Sequence, residues 1–398
     1  MKKGTRFPTY LKGFKMEDVL FQVTKDQLET GMRGYPVGYC TTSFVDPEKG
    51  LFYRGRPISE LYKWEPERVL FFLLNGKEGS AQEITTFSDE LKRRAHCSHA
   101  VIKHIESLPR QGHPMKLFSG ALLVLGMLEG QDDYKEDALN LIAKLPHLSA
   151  TVINYHAGWG ETPPPTGDKG YMENFAHMLQ VPDRDGHLSE VFRLFNILHY
   201  DHGGGNLSTF VGKAIASGLE DLYGSIGGAM CALAGPLHGR ANQSTLALVE
   251  ETLKEVGENA TAADIEQFVR KKLENKEKIF GFGHAVLRKE DARATIFYDY
   301  AEKHFADHPL VKIAFLLRTE GTKVLKENPK ISNPYPNIDA MSGTLLTAVG
   351  FPYPEYYTVL FGLSRSVGIA TQIVYERLEA REGKGTPIVR PRYIYKPH

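Results

Sequence analysis

The chain has 398 residues, with 48 Lys and Arg against 48 Asp and Glu, and 42% of its residues are hydrophobic. A balanced charge supplies no global field to draw it to nucleic acid or to an anionic membrane, and the length suffices for two or three domains, or one large body with a lobe. Its three cysteines, Cys40, Cys97 and Cys231, are far apart and form no CxxC pair, which argues against a structural zinc site and a secreted disulfide framework and fits a reducing compartment.

In chain order, the first twenty residues scatter Lys and Arg without an apolar run and include Glu17 and Asp18, so they read as neither a secretory signal nor a transit peptide. The expectation is a cytoplasmic protein. Short strand-like alternation follows at 40–45 and 51–54, about a DPEKG turn. Apolar residues then recur at helical spacing over 98–108, 114–128, 137–155, 189–200, 244–256, 291–305 and 309–326, mostly behind Ser, Thr, Asp or Pro. The clearest helix starts at Thr261: Ile265, Phe268, Val269 and Leu273 fall on one face behind a capping-box-like Thr261 and Asp264. The apolar run at 121–128 is too short to span a bilayer. Two Pro- and Gly-rich interruptions, 159–170 and 328–337, read as loops, the second leading straight to Asp339. Residues 353–381 read as a long helix, and after Gly383 and Gly385 an extended arm carries Arg390. No βαβ alternation, GxGxxG or GxxxxGK[ST] is present, so the fold class is all-α, mainly helical, with little β at the N-terminus.

Four segments set His, Arg or Asp among glycines where a plain helix wants neither: HYDHGGGN (199–206), GPLHGRANQ (235–243), GFGHAVLRKEDAR (281–293) and PNIDAMSG (336–343). His238, between Pro236 and two glycines, belongs on an irregular turn; taken alone it reads as a loop histidine bonded to a carbonyl. His284 is again set in glycine, with Arg288 four residues on. A helix beginning at the histidine would disfavour its protonated form and make it a neutral donor able to polarise a carbonyl. Asp339 reads either as the cap of the next helix or as a base. His199, Asp201 and His202 have the chemistry of metal ligands, but no further ligand follows at a recognisable spacing. Phe361 and Arg365, four apart, share a helix face in apolar company, where an arginine often merely snorkels. Arg390 alone reads as part of a solvated tail.

These segments, in this order, resemble the catalytic and substrate-binding segments of the citrate synthase family: HYDHGGGNLS, GPLHGRANQ, GFGHAVLRKEDAR, PNIDAMSG and FGLSRSVG, with DPEKGLFYRGRPISEL near the N-terminus and PIVRPR near the C-terminus. The resemblance implies a homodimer with a large helical domain (1–237 and 346–398) and a small helical domain (238–345) that closes over the active site. It implies condensation of acetyl-CoA with oxaloacetate and hydrolysis of citryl-CoA to citrate and CoA, the entry step of the tricarboxylic acid cycle, by an acyltransferase.

The family motifs carry residue roles onto matching positions. Asp339 would remove the thioester α-proton, His238 would hydrogen-bond the thioester oxygen, and His284 would donate to the keto oxygen of oxaloacetate. His202, Arg293, Arg365 and Arg390 would hold oxaloacetate, with Arg390 reaching in from the partner subunit, and His199, Asn206 and Phe361 would extend that pocket. Arg288 would meet the CoA phosphates beside the backbone at Gly281 and Gly283. Ser332 stands where some members carry a lysine, with Lys330 nearby, and Met341 stands where animal-type members carry histidine. No cofactor and no metal is expected, since acetyl-CoA is a substrate; nor is a nucleic-acid or membrane partner. Three rival readings are a 2-methylcitrate synthase using propionyl-CoA, a metal-dependent hydrolase built on His199, Asp201 and His202, and a non-catalytic helical binding protein. GPLHG leans towards the citrate enzyme.

Overall fold

The computed structural model describes residues 22–396, and the chain divides into two compact units, one up to Tyr39 and one from Cys40 onward. The N-terminal stretch assessed for targeting signals lies outside the described residues. The first unit contributes one 3-10 turn, Asp26–Glu29, onto which Tyr35 Oη donates at the carbonyl of Gln27 (3.1 Å).

The second unit opens with an antiparallel sheet of order β1-β2-β3: β1 (Ser43–Asp46), β2 (Gly50–Tyr53) and β3 (Arg56–Pro57). Asp46 Oδ1 accepts the N–H groups of Glu48 and Lys49, which closes the β1–β2 turn and pairs Phe44 with Phe52. That register buries Leu51 and Tyr53 on one face.

Helices make up most of the rest. The first group is α1 (Ile58–Leu61), α2 (Pro66–Asn75), α3 (Ala81–Arg94), α4 (His99–Ser107), α5 (Pro114–Glu129), α6 (Tyr134–Ala157), α7 (Tyr171–Leu179), α8 (His187–His199), α9 (Leu207–Ala216) and α10 (Leu222–Leu233). There follow α11 (Ala241–Val256), α12 (Ala262–Glu274), α13 (Ala292–Phe305), α14 (Pro309–Leu316), α15 (Thr322–Lys326), α16 (Asp339–Ala348) and α17 (Tyr357–Val374). Their starts are written in the sequence: Pro opens α2, α5 and α14, Ser80 and Thr261 form capping boxes with Glu83 and Asp264, and Asp133, Asn206, Asp221 and Asp291 cap α6, α9, α10 and α13. The fold is mainly helical, as the sequence predicts.

Two long helical expectations are interrupted by π-turns. The 309–326 window breaks at Leu317–Gly321, and 353–381 resolves into a 3-10 turn (Pro354–Tyr356), α17 and a π-turn (Tyr375–Glu379). At the first, the Phe282 ring lies so close to Gly321 that a Cβ there would come within 2.9 Å of it.

Helix α17 is buried nearly all round and packs on α6, α8, α9 and α10, so it forms the axis of the core. Helix α10 approaches α5 and α9 through glycine: a Cβ on Gly126 would lie 2.5 Å from Tyr223 Cβ, and one on Gly228 would lie 2.2 Å from Ile215 Cδ1. Helices α11, α13 and α14 pack around α16, while α16 also meets α8. No helix among the described residues is long and apolar enough to cross a membrane.

Candidate active site

The C-terminal end of α8, the 200–206 loop and the middle of α17 meet around Arg365. This arginine is 2% exposed; its Nε donates to the carbonyl of His199 (3.1 Å), its guanidinium lies over the Phe361 ring (4.8 Å), and its terminal nitrogens meet no acceptor among the described residues. It does not snorkel. Burial pushes its pKa down to about 10, because a desolvated cation without an adjacent carboxylate is costly. Such a group calls for an anion.

A second buried cation, Arg293 at the start of α13, has its partner in place. Asp291 Oδ2 accepts from Nη2 (2.7 Å), and Asp291 Oδ1 accepts from Nε and from the backbone N–H of Arg293, both at 3.0 Å. One carboxylate thus caps the helix and fixes the guanidinium.

His202 faces these cations from the loop after α8. Its ring stands edge-on to that of His284, centroids 5.2 Å apart, and its Nε2 is buried without a partner among the described residues. Burial, then Arg293 and Arg365, hold its pKa well below the usual value, so it is neutral. His199 and His202 share no helix face, because α8 stops at His199. His199 Nδ1 donates to the Phe195 carbonyl (2.7 Å), and its ring stacks on Phe195 and meets Phe361 edge-on. Among the described residues no group of three or more His, Cys, Asp or Glu side chains is arranged to hold a metal ion.

His238 lies on the turn between α10 and α11. A backbone N–H can only donate, so the bond from Ser208 N–H (3.3 Å), with Ser208 Oγ at 2.9 Å, makes Nε2 an acceptor and leaves the proton on Nδ1. Burial and then Arg365 lower its pKa to about 4. It is a neutral Nδ1–H donor beside Phe361, whose ring centroid lies 6.4 Å away.

No helix begins at His284, so the condition under which a helix N-terminus would keep it neutral is not met. Two successive backbone N–H groups, of Val286 and Leu287, instead donate to its Nδ1 at 3.0 Å each. The consequence is the one a helix N-terminus would have had: the ring is neutral, with a pKa lowered to about 4 by burial and then Arg293, and its free proton is on Nε2. The segment before it is zipped to the one before Asp339, with Phe282 bridging Pro336, Gly283 N–H donating to Tyr335 O (3.0 Å) and Asn337 N–H donating to Gly281 O (2.9 Å). Gly281 and Gly283 hold φ of +82° and +84°, and a Cβ on Gly281 would come within 3.0 Å of Ala340 Cα.

Asp339 is the first residue of α16, not its cap, and its N–H is taken by Asn337 Oδ1 (2.9 Å). Its carboxylate accepts no hydrogen bond from the described residues. Burial raises its pKa to about 6, against the pull of Arg293. His199, His202, His238, His284 and Asp339 all feel Arg293 or Arg365, which brings five candidates from distant segments around one pair of cations.

Other candidates are placed elsewhere. Asn206 uses its side chain on local structure, Oδ1 capping α9 at Thr209 N–H and Nδ2 reaching the Gly203 carbonyl. Arg288 is exposed, with Nη1 on the carbonyls of Val286 and Leu287. Arg390 is exposed, and its neighbour Val389 donates to Ser217 Oγ, nine residues along α9 from Ser208, so roughly 14 Å down that helix. Ser208, Asp291 and Asn337, which orient His238, Arg293 and Asp339, were missed as functional residues. The signal for Ser208 and Asn337 was their place at the ends of HYDHGGGNLS and PNIDAMSG.

A family model described as citrate synthase, C-terminal domain, matches residues 31–392. The chain belongs to the citrate synthase family. Mitochondrial citrate synthase of Citrus maxima is 37% identical over 94% of this chain and 83% of its own length, and mitochondrial citrate synthase 4 of Arabidopsis thaliana is 36% identical over the same shares. Among solved structures, citrate synthase of Thermotoga maritima superposes with a TM-score of 0.78 at 29% identity over 92% of this chain and 94% of its own. Citrate synthase of Thermoplasma acidophilum, solved as a ternary complex with carboxymethyl coenzyme A and oxaloacetate, does so with 0.81 at 25% identity over 93% and 96%. The chain is therefore an acyl-CoA-condensing transferase of this family, acting on oxaloacetate. The expectation of a cytoplasmic protein is overturned: the curated relatives from Citrus maxima, Daucus carota and Arabidopsis thaliana are mitochondrial enzymes. Three free cysteines fit any reducing compartment and could not discriminate.

Proposed function

We propose that Asp339, His238 and His284 carry out the condensation of acetyl-CoA with oxaloacetate, and that citryl-CoA is then hydrolysed to citrate and CoA. One observation carries this reading: two imidazoles held neutral, each with one ring nitrogen fixed as an acceptor, share a cation-rich pocket with a carboxylate that accepts no hydrogen bond from the described residues. A carboxylate can take a thioester α-proton only if the developing oxyanion is stabilised at once. Asp339 removes the proton while His238 Nδ1–H bonds the thioester oxygen. The enol carbon then attacks the keto carbon of oxaloacetate, whose oxygen receives a hydrogen bond from His284 Nε2–H.

Oxaloacetate is a dianion, and Arg365, Arg293 and His202 bind it in this proposal, its oxygens meeting the Arg365 terminal nitrogens and His202 Nε2, which have no partner among the described residues. The exposure of Arg390 and the anchoring of its neighbour Val389 at Ser217 support a homodimer in which each arm completes the partner's site. A small domain at 238–345 would close over the large one and exclude water before the thioester can hydrolyse. Arg288, with Gly281 and Gly283, is assigned to CoA. The chemistry needs no metal or cofactor, and the relatives support a mitochondrial setting.

Release of free thiol from acetyl-CoA or propionyl-CoA with oxaloacetate tests the reading, with and without a chelator. Faster turnover of acetyl-CoA, unaffected by the chelator, is expected. Preference for propionyl-CoA would assign the chain to 2-methylcitrate synthesis, and abolition by the chelator would overturn the mechanism.

A further inference from the structure

Asp201 is a fully buried carboxylate that the mechanism above does not use. Its Oδ1 accepts the backbone N–H of His202 (2.8 Å) and Nε2 of Gln372 (2.8 Å), and its Oδ2 accepts from Thr42 Oγ1. Its own N–H donates to Tyr53 Oη (3.2 Å). The Gln372 amide is oriented from outside, its Oε1 accepting from Lys213 Nζ (3.2 Å), which in turn pairs with Glu376 (2.9 Å).

The residues of α17 that meet this loop form a single stripe. Phe361, Arg365, Gly368 and Gln372 fall at i, i+4, i+7 and i+11 and so share a face. Gly368 lets the loop touch that face: a Cβ there would lie 2.3 Å from the Tyr200 carbonyl oxygen and 2.7 Å from Asp201 Cβ. Asp201 is thus wedged one turn along from Arg365, the cation without an adjacent carboxylate.

We infer that Asp201 is a positioning residue of the oxaloacetate pocket, holding the His202 backbone in place and standing as the buried counter-charge to Arg365. The inference rests on the oxaloacetate reading of that pocket. The ionisable groups facing Arg365 are Asp201, Tyr53, Arg293, His199, His202 and His238, and Asp201 is the carboxylate among them that supports its charge. The two roles separate by substitution. Asp201→Asn keeps Oδ1 for His202 and Gln372 and turns Nδ2 to the Thr42 hydroxyl, which can accept, so it removes charge alone. Asp201→Ala takes the acceptor from the His202 N–H and the Thr42 hydroxyl and leaves Gln372 Nε2 with the Gly203 carbonyl alone (3.3 Å).

Steady-state kinetics and melting temperatures of the full-length protein test both roles. Asp201→Ala should raise the oxaloacetate KM about tenfold at about pH 7.5, with the acetyl-CoA KM changed by less than about twofold. Asp201→Asn should stay within about threefold of wild type in oxaloacetate KM and should lower the melting temperature of the ligand-free protein by about 3 °C or more, because Arg365 is then buried without its counter-charge; saturating oxaloacetate should shrink that loss. Equal rises in both KM values for Asp201→Ala, or a wild-type melting temperature in ligand-free Asp201→Asn, would overturn the inference while the wild-type reaction stands. A wild-type chain that releases no thiol overturns the functional reading, and this inference with it. Should Asp201→Ala fail to fold, Gln372→Met keeps the charge and removes one donor; an oxaloacetate KM unchanged in that variant overturns the positioning role, and a rise of about threefold or more supports it.

Discussion

Asn337 donates its side-chain Nδ2–H to the carbonyl of Gly283 at 3.0 Å, across the two segments that carry His284 and Asp339. Its Oδ1 meanwhile takes the Asp339 N–H, so one amide sets the spacing between the proposed base and the proposed electrophilic catalyst. Asn337→Ala should lower kcat about tenfold or more with little change in either KM, because small displacements of reacting groups cost rate more than binding. Measured kcat and KM values decide it; a rise in KM with kcat preserved would speak against a positioning role.

Asp339→Asn removes the base and keeps the size, so thiol release should fall by roughly a factor of a hundred to ten thousand without unfolding. The same variant should be the more stable protein at neutral pH. Burial raises the folded pKa of Asp339 to about 6, so its ionised form destabilises the fold above that pH, and the penalty disappears below the unfolded value near 3.8. Melting temperatures at about pH 8 and about pH 4 check the sign: the variant should exceed wild type at the first and match it at the second.

The acid limb of the rate profile follows from the same carboxyl. Asp339 must be ionised to accept a proton, so activity should fall as pH drops through about 6. His238 and His284, both lowered to about 4, remain neutral donors across that range and add no limb of their own near 6. A profile of kcat/KM between about pH 5 and pH 8 tests this, and activity that stays flat down to about pH 5 would overturn the raised pKa of Asp339.

Much of this was legible in the sequence because local chemistry marks it. Thr261 with Asp264, and Pro at the starts of α5 and α14, announce helices that the structure reproduces within a few residues. The helices α1, α2, α3, α7, α9 and α10 went unread; in α10 the run GSIGGAM reads as a breaker by propensity and is helical because its glycines let α5 and α9 approach. In the site, the glycine-set histidines stood out, but the way each ring is made a donor did not. His238 depends on Ser208, thirty residues earlier, and His284 on two backbone N–H groups of a loop with no regular period. The counter-charges were equally invisible, since whether Arg365 has a carboxylate partner is a fact of three dimensions.

Arg390 offers the sharpest test of assembly. Its arm is anchored through Val389 to Ser217, toward the end of α9 away from the pocket, and exposes Ile388, Tyr393, Ile394 and Tyr395 along its length. An exposed apolar arm with a cation is stable where another surface covers it, and a second copy of the chain supplies one in the homodimer proposed above. Arg390→Ala should then raise the oxaloacetate KM about tenfold or more and leave the acetyl-CoA KM nearly unchanged, since the lost contact is a fork on a carboxylate. Mixing it with Asp339→Asn distinguishes the two arrangements. If Arg390 acts across the interface, a heterodimer of the two variants contains one site with both lesions and one intact site, so mixing two impaired proteins should restore up to about half of the wild-type activity per heterodimer. If each arm served its own chain, both sites of the heterodimer would stay impaired and mixing would restore nothing.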